Sequence, residues 1–560
     1  MLIVLNTKNN FGGFKMKKTR MLLSMLLIVS VLSTGCSSKD SDSTEASGTK
    51  AKGTNSSMNY GLKDVKFPLD EKVNLKFITQ SSSLAPADPN DKLVFQRFEK
   101  DTNVHIEWTN YTNDQFAEKK NLDIASGDLP DAIFDAAMSD YDLLRYGKQG
   151  IILPLEDTIN QYMPNLKKIL DSHPDYKKII TAPDGHIYSL PWIEELGTGK
   201  EAIQALDDIP WINKKWLDEL GIKMPTTTDE LEKVLIAFKD MKPEGKTDVI
   251  PMSFRVNGGG EDCSMLLGAF GLGDNYDHYV VTEDGKVTYT LAQDGYKTGI
   301  QWLNKLQKQG LIDKEAFTQD YNTYAAKGKN KRYGLYFTWD KANISGNNED
   351  YVAMPPLKGP DGTVNVARTN GVGLDKGRMV FSSSNQNIEL TAKWADKCYE
   401  PTQSVQNNWG TYGDTKQANI FELTSEGNLK HLPLGTNTPV GLRSMTSTGG
   451  PLAILDEYYG KSTTMPDDAA WRLDILHEIY VPAMKATNNY PPVFMSQEDQ
   501  TQFTQLETAV KTYAERMKAE WILKGGIEDQ WDNYLKELEK NGLSKLIEIK
   551  QKYYDVVYKK

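Results

Sequence analysis

The sequence predicts a large α/β protein with at least two lobes, and three observations lead to that prediction. The chain has 560 residues, several times the ~100–200 residues of a typical domain. Residues Val73–Gln80 alternate like a strand, and a helical stripe containing Leu93, Val94 and Phe98 follows. Val104–Trp108 then reads as a second strand. A strand, a helix and a strand in this order are typical of an α/β lobe with right-handed crossovers.

The first residues of the chain predict export. Basic residues at positions 17, 18 and 20 precede the apolar run Met21–Leu32, and small residues lead from there into Cys36. The apolar run is about a dozen residues long, whereas a membrane-spanning helix needs ~20. Residues 1–35 are therefore predicted to be a secretory signal peptide, of which residues 1–15 are an upstream extension.

Small residues that run into Cys36 resemble the bacterial lipoprotein box. The resemblance implies cleavage before Cys36 and a diacylglyceryl group on its thiol; an ordinary signal in which Cys36 is incidental is the alternative. Lys39–Tyr60 is mostly Ser, Thr, Lys, Gly and Asp with almost nothing to bury, so residues 36–70 are predicted to form a lipidated, disordered tether. We expect the rest of the protein to be held at the membrane only through this front end.

Composition limits the partners and the covalent cross-links of the chain. The formal net charge is −11, which argues against a nucleic-acid partner, because such a partner requires a basic surface. After Cys36, only Cys263 and Cys398 remain, so the fold cannot depend on a disulfide framework. We favour two separate buried thiols, and a single bridge is the alternative.

Strands and helices continue to alternate through the first half of the chain. A helix is predicted to end at Gly127, and Ala132–Phe134 is predicted to be a strand with Asp131 at its edge. His186–Leu190 is predicted to form a short strand that Pro191 stops. This order again favours an α/β lobe.

The second half shows the same alternation and ends in helices. Thr227 and Glu230 form a capping box at the start of a predicted helix. Arg332–Phe337 is a predicted strand that leads into Trp339 and Asp340. Two long apolar stripes of helical spacing, closed by glycines at 525, 526 and 542, predict a helical C-terminus.

Catalytic and cofactor motifs are missing from the sequence. There is no Gly-x-Ser-x-Gly elbow, no phosphate loop and no dinucleotide fingerprint, and the six histidines are too dispersed for a metal cluster. Glu194 and Glu195 are the most prominent pair of carboxylates, but adjacent residues of an extended segment point to opposite sides. We therefore predict a protein that is not an enzyme and that has no cofactor and no metal ion.

Four segments resemble a known protein family. They read Ala-Ser-Gly-Asp-Leu-Pro-Asp at 125–131, Leu-Pro-Leu at 153–155, Asp-Gly-His-Ile-Tyr-Ser-Leu-Pro at 184–191 and Ile-Asn-Lys-Lys-Trp-Leu-Asp-Glu-Leu-Gly at 212–221. In this order and spacing they resemble the family 1 extracellular solute-binding proteins, most of all the large lipoprotein branch that includes oligosaccharide binders of the alginate-binding type. The resemblance covers nearly the whole mature chain.

The resemblance implies a type 2 periplasmic-binding fold, in which two α/β lobes enclose a ligand cleft. The expected N-terminal lobe comprises 71–189 and 371–403, and the expected C-terminal lobe comprises 190–370 and 404–560. The implied function is that of a monomeric, lipid-anchored component of an ABC importer on the outer face of a bacterial cell membrane. It would bind an oligosaccharide by hinge closure and deliver it to the permease. A secreted glycoside hydrolase and a binding protein for a non-sugar solute, such as a peptide, are the alternatives.

Large members of this family often carry a calcium loop before an Ile-Pro pair. In the corresponding segment here, residues 240–249, Lys242 places a cation where a ligand oxygen belongs, and Val249 replaces the last carboxylate. Because calcium affinity depends on the number of ligand charges, we predict a degenerate loop without an ion.

Candidate ligand-binding residues are aromatic and polar residues near the ends of strands. In two-lobed binders the ligand lies in the crevice beyond the carboxyl ends of the strands, and aromatic faces cover the apolar faces of sugar rings. Trp339 and Asp340 resemble the aromatic pair of maltodextrin-binding relatives, and Trp216, on an apolar helical stripe, is predicted to be a core residue. The predicted ligand-binding residues are Asp131, Trp192, Glu195, Trp211, Trp339, Asp340, Trp409, Tyr412 and Arg443.

Overall fold

Two separate β-sheets organise the computed structural model, which describes residues 57–197, 201–241, 248–256, 260–346 and 348–558. The predicted signal peptide, Cys36 and the tether as far as residue 56 lie outside these residues. Within the described ranges, no helix combines the length and the apolar character needed to cross a bilayer.

The strands of the described chain are numbered in sequence order. They are β1 (Val73–Ser81), β2 (Val104–Thr112), β3 (Ala132–Phe134), β4 (Leu190–Glu194), β5 (Ile209–Asn213), β6 (Ile250–Met252), β7 (Tyr279–Thr282), β8 (Val287–Tyr289), β9 (Tyr333–Thr338), β10 (Tyr351–Ala353), β11 (Leu374–Phe381), β12 (Phe421–Leu423), β13 (Leu429–His431), β14 (Leu452–Ile454) and β15 (Thr487–Asn488).

The α-helices are numbered in the same way. They are α1 (Leu93–Thr102), α2 (Asn113–Ser126), α3 (Asp140–Lys148), α4 (Glu156–Tyr162), α5 (Pro164–Ser172), α6 (Pro174–Ile180), α7 (Lys214–Glu219), α8 (Thr228–Asp240), α9 (Asp294–Lys308), α10 (Tyr321–Lys329), α11 (Lys341–Ser345), α12 (Ile388–Lys397), α13 (Pro401–Trp409), α14 (Pro439–Thr446), α15 (Asp467–Ile475), α16 (Gln497–Lys524), α17 (Ile527–Lys540) and α18 (Leu543–Tyr558).

The larger sheet has six strands in the order β14-β4-β11-β3-β1-β2, and the next has four in the order β10-β5-β9-β6. In the six-stranded sheet, β1 lies parallel to β2 and β3, and β11 runs antiparallel between β3 and β4. In the four-stranded sheet, β9 is antiparallel to β5 and parallel to β6. The chain therefore passes from the first sheet to the second between β4 and β5, and it returns between β10 and β11.

Each sheet packs on its own hydrophobic core, as expected of an α/β protein with two lobes. Under the six-stranded sheet, Phe77 and Phe134 contact Trp394 edge to face. Next to the four-stranded sheet, α16 and α17 cover a second core with Trp521 at its centre. Trp216 is 4% exposed and belongs to that core, as predicted.

The two cysteines of the described chain are both buried and unbridged. Cys263 lies in the core beside the four-stranded sheet and Cys398 in the core under the six-stranded sheet. The separate thiols that we favoured from the sequence are thereby confirmed.

Local sequence signals account for most element boundaries. The Thr227 hydroxyl accepts a hydrogen bond from the Glu230 backbone N–H at the start of α8, as the capping box predicts. Gly127 closes α2 with a φ of +74°, a conformation that glycine adopts without steric cost. The predicted strands β1, β2, β3 and β9 and the helical C-terminus are all present.

The strand predicted at His186–Leu190 is wrong, because β4 begins at Leu190 and includes Pro191. Proline cannot donate a ladder hydrogen bond and is confined within sheets to edges and bulges. The pairing of β4 with β11 shifts register between Asp375 and Met379, so Pro191 lies at an irregularity where no donor is required.

Residues 57–70, expected to be part of a disordered tether, lie against the first lobe. Val65 is 6% exposed and packs in the core under the six-stranded sheet. The Ser57 hydroxyl donates to Asp131, and the Asn387 side chain donates to the Met58 carbonyl. These hydrogen bonds fix the start of the described chain.

The segment between α13 and β14 packs with the first sheet. Val405, Phe421, Leu442 and Leu452 all lie in the core under the six-stranded sheet, although the expected division placed residues 404–560 in the C-terminal lobe. The reason is that β14 pairs with β4 in parallel, and α13 covers it.

Candidate functional site

A large cavity lies between the two sheets. Its volume is about 1430 Å³, larger than the roughly 300–1,000 Å³ of a pocket for one small molecule. Gln80 and Ser81 at the end of β1, Asp135 directly after β3 and Thr338 at the end of β9 border it. We call this cavity the cleft. The carboxyl ends of strands are where α/β proteins place their ligands.

Five of the nine predicted ligand-binding residues line the cleft. Trp192 comes from β4, Trp339 and Asp340 follow β9, Trp409 ends α13, and Arg443 lies in α14. These residues come from both sheets. The structure therefore brings together side chains that are as much as 251 positions apart in sequence, from 192 to 443.

Two aromatic candidates do not reach the cleft. Trp211 is 0% exposed, donates its indole N–H to the Thr338 carbonyl at 3.0 Å and stacks on Trp471. Its strand β5 is paired on both sides and buried on both faces, so the residue is a core residue. Tyr412 packs against the first core, with the Arg97 guanidinium 3.9 Å from its ring centroid.

Two acidic candidates also point away from the cleft. Asp131 is 1% exposed and accepts hydrogen bonds from the Lys76 backbone and the Ser57 hydroxyl. It precedes β3, whereas the cleft is formed at the opposite end of that strand. Glu195 accepts hydrogen bonds from the Tyr176 hydroxyl and the Asp456 backbone N–H, so it serves to join neighbouring segments.

Glu194 and Asp135 line the cleft, whereas Glu195 and Asp131 were predicted to do so. Glu194 lines the cleft because neighbouring residues of a strand alternate in direction. Asp135 follows β3 at its carboxyl end and accepts a hydrogen bond from Arg378 at 2.5 Å. The rule that ligands bind at carboxyl ends of strands would have found Asp135.

Other cleft residues carried no signal in the sequence. Tyr276 and Tyr321 lie in or beside irregular segments, and Arg472 lies on a helix, α15, whose pattern indicates only a half-buried face. Additional polar groups at the cleft are Gln204, Asp207, Glu261, Asn343, Asn419, Asn437, Asp467 and Asp468.

A buried chain of polar groups connects Arg443 to Glu194. Arg443 donates to the Asn408 side-chain oxygen at 2.6 Å, and the Asn408 amide donates to Glu194 at 2.6 Å. Burial raises the pKa of Glu194, and the Arg443 charge opposes that rise. The network fixes the orientation of Arg443 at the wall of the cleft.

Acidic side chains outnumber basic ones at the cleft. Among the residues that the structure describes, seven acids and three cations line it. Burial raises the pKa of Asp207 to about 6 and that of Glu261 to about 7. Burial also lowers the pKa of Lys92 to about 8.

The three cations of the cleft are already engaged by protein acceptors. Lys92 donates to the Ser447 carbonyl at 2.5 Å, Arg443 donates to Asn408, and Arg472 donates to the Leu206 and Trp339 carbonyls. These three cations are therefore not free to pair with an anionic ligand.

The chemistry of this site is that of binding. Three tryptophans and two tyrosines line the described part of the cleft, at positions 192, 276, 321, 339 and 409. Their rings offer apolar faces, and the amides and carboxylates between them offer hydrogen bonds. In the described ranges no cluster of three or more His, Cys, Asp or Glu side chains is arranged to hold a metal ion. Residues 242–247 of the segment predicted to be a degenerate calcium loop lie outside those ranges.

Comparison with known proteins decides the family. The model of the bacterial extracellular solute-binding proteins matches residues 82–403, more than half of the chain. The chain belongs to this family. The predicted resemblance is confirmed, and this solute-binding protein is not an enzyme, as predicted, because its homologues are substrate-binding proteins of ABC transporters.

Relatives with names and structures support the family and the fold. This solute-binding protein is 59% identical over 505 residues to the fructooligosaccharide ABC transporter substrate-binding protein FusA of Streptococcus pneumoniae serotype 4. The match covers 90% of this chain and 94% of that protein. The structure of S. pneumoniae FusA in complex with kestose matches with a TM-score of 0.85 at 58% identity, over 86% of this chain and 99% of that chain.

A more distant structure shows the fold alone. Alginate-binding protein AlgQ2 without calcium ion matches with a TM-score of 0.70 at 23% identity, over 88% of this chain and 100% of that chain. The solved relatives are two-lobe solute-binding proteins, so the predicted α/β two-lobe fold is confirmed.

Proposed function

We propose that this protein is the solute-binding component of an ABC importer that captures a fructo-oligosaccharide in the cleft. The observation that carries the proposal is the cavity of about 1430 Å³, which is lined by five aromatic rings set among amides and carboxylates. Sugar rings present an apolar face to aromatic planes and hydroxyls to polar side chains. The choice of fructo-oligosaccharide follows the 59% identity with FusA.

The ligand is held from both sheets and draws the two lobes together. Trp192, Trp409 and Arg443 belong to the first lobe, and Trp339 and Asp340 to the second. A ligand that contacts both faces favours the closed arrangement by its differential affinity, which is the usual basis of hinge closure. The closed form would be the one that docks on the permease.

The lobes of this proposal divide according to the sheets. The first lobe comprises residues 57–194 and 374–454, and the second comprises 209–353 and 467–558, with connecting segments between them. A tether formed by residues 36–56 would link the first lobe to a lipid-modified Cys36. The protein would work as a monomer on the outer face of the cell membrane.

The experiment that tests the proposal is a titration with tryptophan fluorescence. The protein is titrated with kestose, with gluco-oligosaccharides of the same length and with a peptide library. We expect a saturable change with kestose, and chromatography should return the sugar intact. Cleavage of the sugar would favour the glycoside hydrolase instead, and saturation by peptides alone would favour a binder of non-sugar solutes.

Variants connect that titration to the cleft. Trp192→Ala removes a half-buried cleft ring, and we expect kestose affinity to fall by about tenfold or more, as is typical of aromatic residues that a bound partner buries. Trp471→Ala is the matched control, because Trp471 is 36% exposed and does not line the cleft. Equal losses in both variants would contradict the proposed site.

A further inference from the structure

A buried cation lies directly against one tryptophan of the cleft. The guanidinium carbon of Arg472 is 3.4 Å from the centroid of the Trp339 ring, and Arg472 is 2% exposed. The same guanidinium donates hydrogen bonds to the Trp339 carbonyl and to the Leu206 carbonyl. It therefore contacts the ring and the backbone of the same residue.

The contact closes one face of the Trp339 ring to a ligand. At 3.4 Å the guanidinium lies directly over the indole and excludes any other group from that side. Trp339 lines the cleft, so a ligand ring can stack only on the face opposite Arg472. The Leu206 hydrogen bond further ties this arrangement to the segment that enters β5.

The arrangement is costly for stability, which indicates a role beyond packing. Burial lowers the pKa of Arg472 to about 10, and the Asp207 and Asp340 carboxylates oppose that shift. Among the described residues its Nε has no hydrogen-bond partner, and a buried unsatisfied donor costs free energy.

Other aromatic rings of the cleft have cations nearby, and Tyr276 comes nearest to this arrangement because Lys511 also donates to its carbonyl at 3.0 Å. Lys511 is 4.1 Å from the Tyr276 centroid, and the Arg378 and Arg443 guanidinium carbons are each 6.0 Å from the rings of Trp192 and Trp409. The last two distances are at the limit of a cation–π contact. Arg472 differs from Lys511 because it is buried against its ring and presents a planar guanidinium, whereas Tyr276 is 58% exposed and a lysine has no planar face.

We propose that Arg472 is a positioning residue that fixes the Trp339 indole as a one-faced platform for a sugar ring. It does not touch the sugar. It acts through Trp339, by holding the plane of the ring and by blocking its rear face. The proposal rests on the proposed function, because it assumes that an oligosaccharide occupies the cleft.

A double-mutant cycle with kestose tests the proposal. Kestose affinity is measured by calorimetry for the wild type, Arg472→Met, Trp339→Ala and the double variant. We expect Arg472→Met to weaken binding by about fivefold or more in the wild type, and by less than about twofold when Trp339 is already alanine. Arg516→Met is the matched control, because the Arg516 side chain is 60% exposed and pairs with Glu520; it should bind kestose as the wild type does.

The conservative variant separates a stacking role from a charge role. Arg472→Lys keeps the charge but has neither the planar face nor the forked donors, so we expect it to lose affinity as Arg472→Met does. It also replaces Arg472→Met in the cycle if that variant fails to fold. Recovery of wild-type affinity by lysine would overturn the proposal.

The outcomes distinguish this proposal from the proposed function. If the losses from Arg472→Met and Trp339→Ala multiply in the double variant, Arg472 acts independently of the ring and the proposal is wrong. If the wild type binds kestose and Arg472→Met binds it equally well, the proposal fails and the proposed function stands. If the wild type binds no oligosaccharide, the proposed function itself fails.

Discussion

The charge of the cleft predicts that it discriminates against acidic sugars. Seven acids and three cations line its described part, a net of four negative charges when all are ionised. The perturbation is to replace kestose by an oligogalacturonide of the same length, which carries a carboxylate on every ring. The three cations are bound to protein acceptors, so they offer this ligand little compensation.

Coulomb's law gives the expected size of the effect. At about 10 Å in the dielectric of water, one pair of charges contributes about 0.4 kcal/mol, so four net charges cost each ligand carboxylate about 1.7 kcal/mol. That energy corresponds to a factor of about 15 to 20 in affinity. The lower effective dielectric of a protein cleft would increase the factor, so this value is a minimum.

The assay is calorimetric titration at low ionic strength and pH 8, where screening is weakest. Glu261→Gln should improve oligogalacturonide binding about twofold, the equivalent of one charge at about 10 Å. Glu457→Gln, whose side chain is 64% exposed outside the cleft, is the matched control and should leave it unchanged. Equal affinity of the wild type for kestose and the oligogalacturonide would refute the reasoning.

The same assay has a defined pH dependence. Asp207 and Glu261 have pKa values raised by burial to about 6 and about 7. As the pH falls from 8 to 6, Glu261 and part of Asp207 gain protons, and Lys92, whose pKa is about 8, becomes fully charged. The cleft therefore loses negative charge, whereas a uronate remains ionised. We expect the discrimination to fall by about threefold. Discrimination that does not change with pH would assign it to groups other than these three.

Two further predictions concern stability. Although burial alone lowers the pKa of His278, the adjacent Asp274 carboxylate raises it to about 9, so its stabilising charge is fully present below pH 6.5 and is lost as the pH rises through 9. The control variant is His278→Asn, because asparagine tolerates the φ of +60° at this position. The wild type should be more stable than this variant at low pH, and the difference in unfolding free energy should shrink as the pH rises from 6.5 to 9. Denaturant unfolding at several pH values checks this, and a constant difference would contradict it. Lys327 pairs with Asp313 at 2.8 Å where both side chains are 7% exposed, so Lys327→Met should cost about 3–5 kcal/mol by leaving a buried carboxylate unpaired. The double variant with Asp313→Leu should recover much of that loss in the same unfolding measurement, and an equal loss in both would contradict the explanation.

The sequence predicted the cleft residues whose position depends on a single strand. Trp339 and Asp340 were found because they directly follow the strongly patterned strand β9. Trp211 was misassigned, since its position after an apolar run does not show that a neighbouring strand pairs on each side and buries both faces. The bounds of the short strand β4 were predicted wrongly, because Pro191 indicates the end of a strand unless the irregular pairing with β11 is known.

The residues that the sequence missed depend on distant partners. Glu261 acquires its raised pKa from burial between segments that meet only in the folded protein. Arg472 is defined by its contact with Trp339, which is 133 positions away, and α15 gives no hint of that contact in its pattern. Pairings over such separations are set by the packing of the lobes, which local periodicity does not encode.

The central claim is that an oligosaccharide is held between the two sheets. A crystal structure of the protein with kestose tests it most directly. The account predicts the trisaccharide in the cleft, with one sugar ring against the face of Trp339 opposite Arg472 and with hydroxyls bonded to side chains of both lobes. Kestose bound outside the cleft, or contacting only one of the two lobes, would contradict the account.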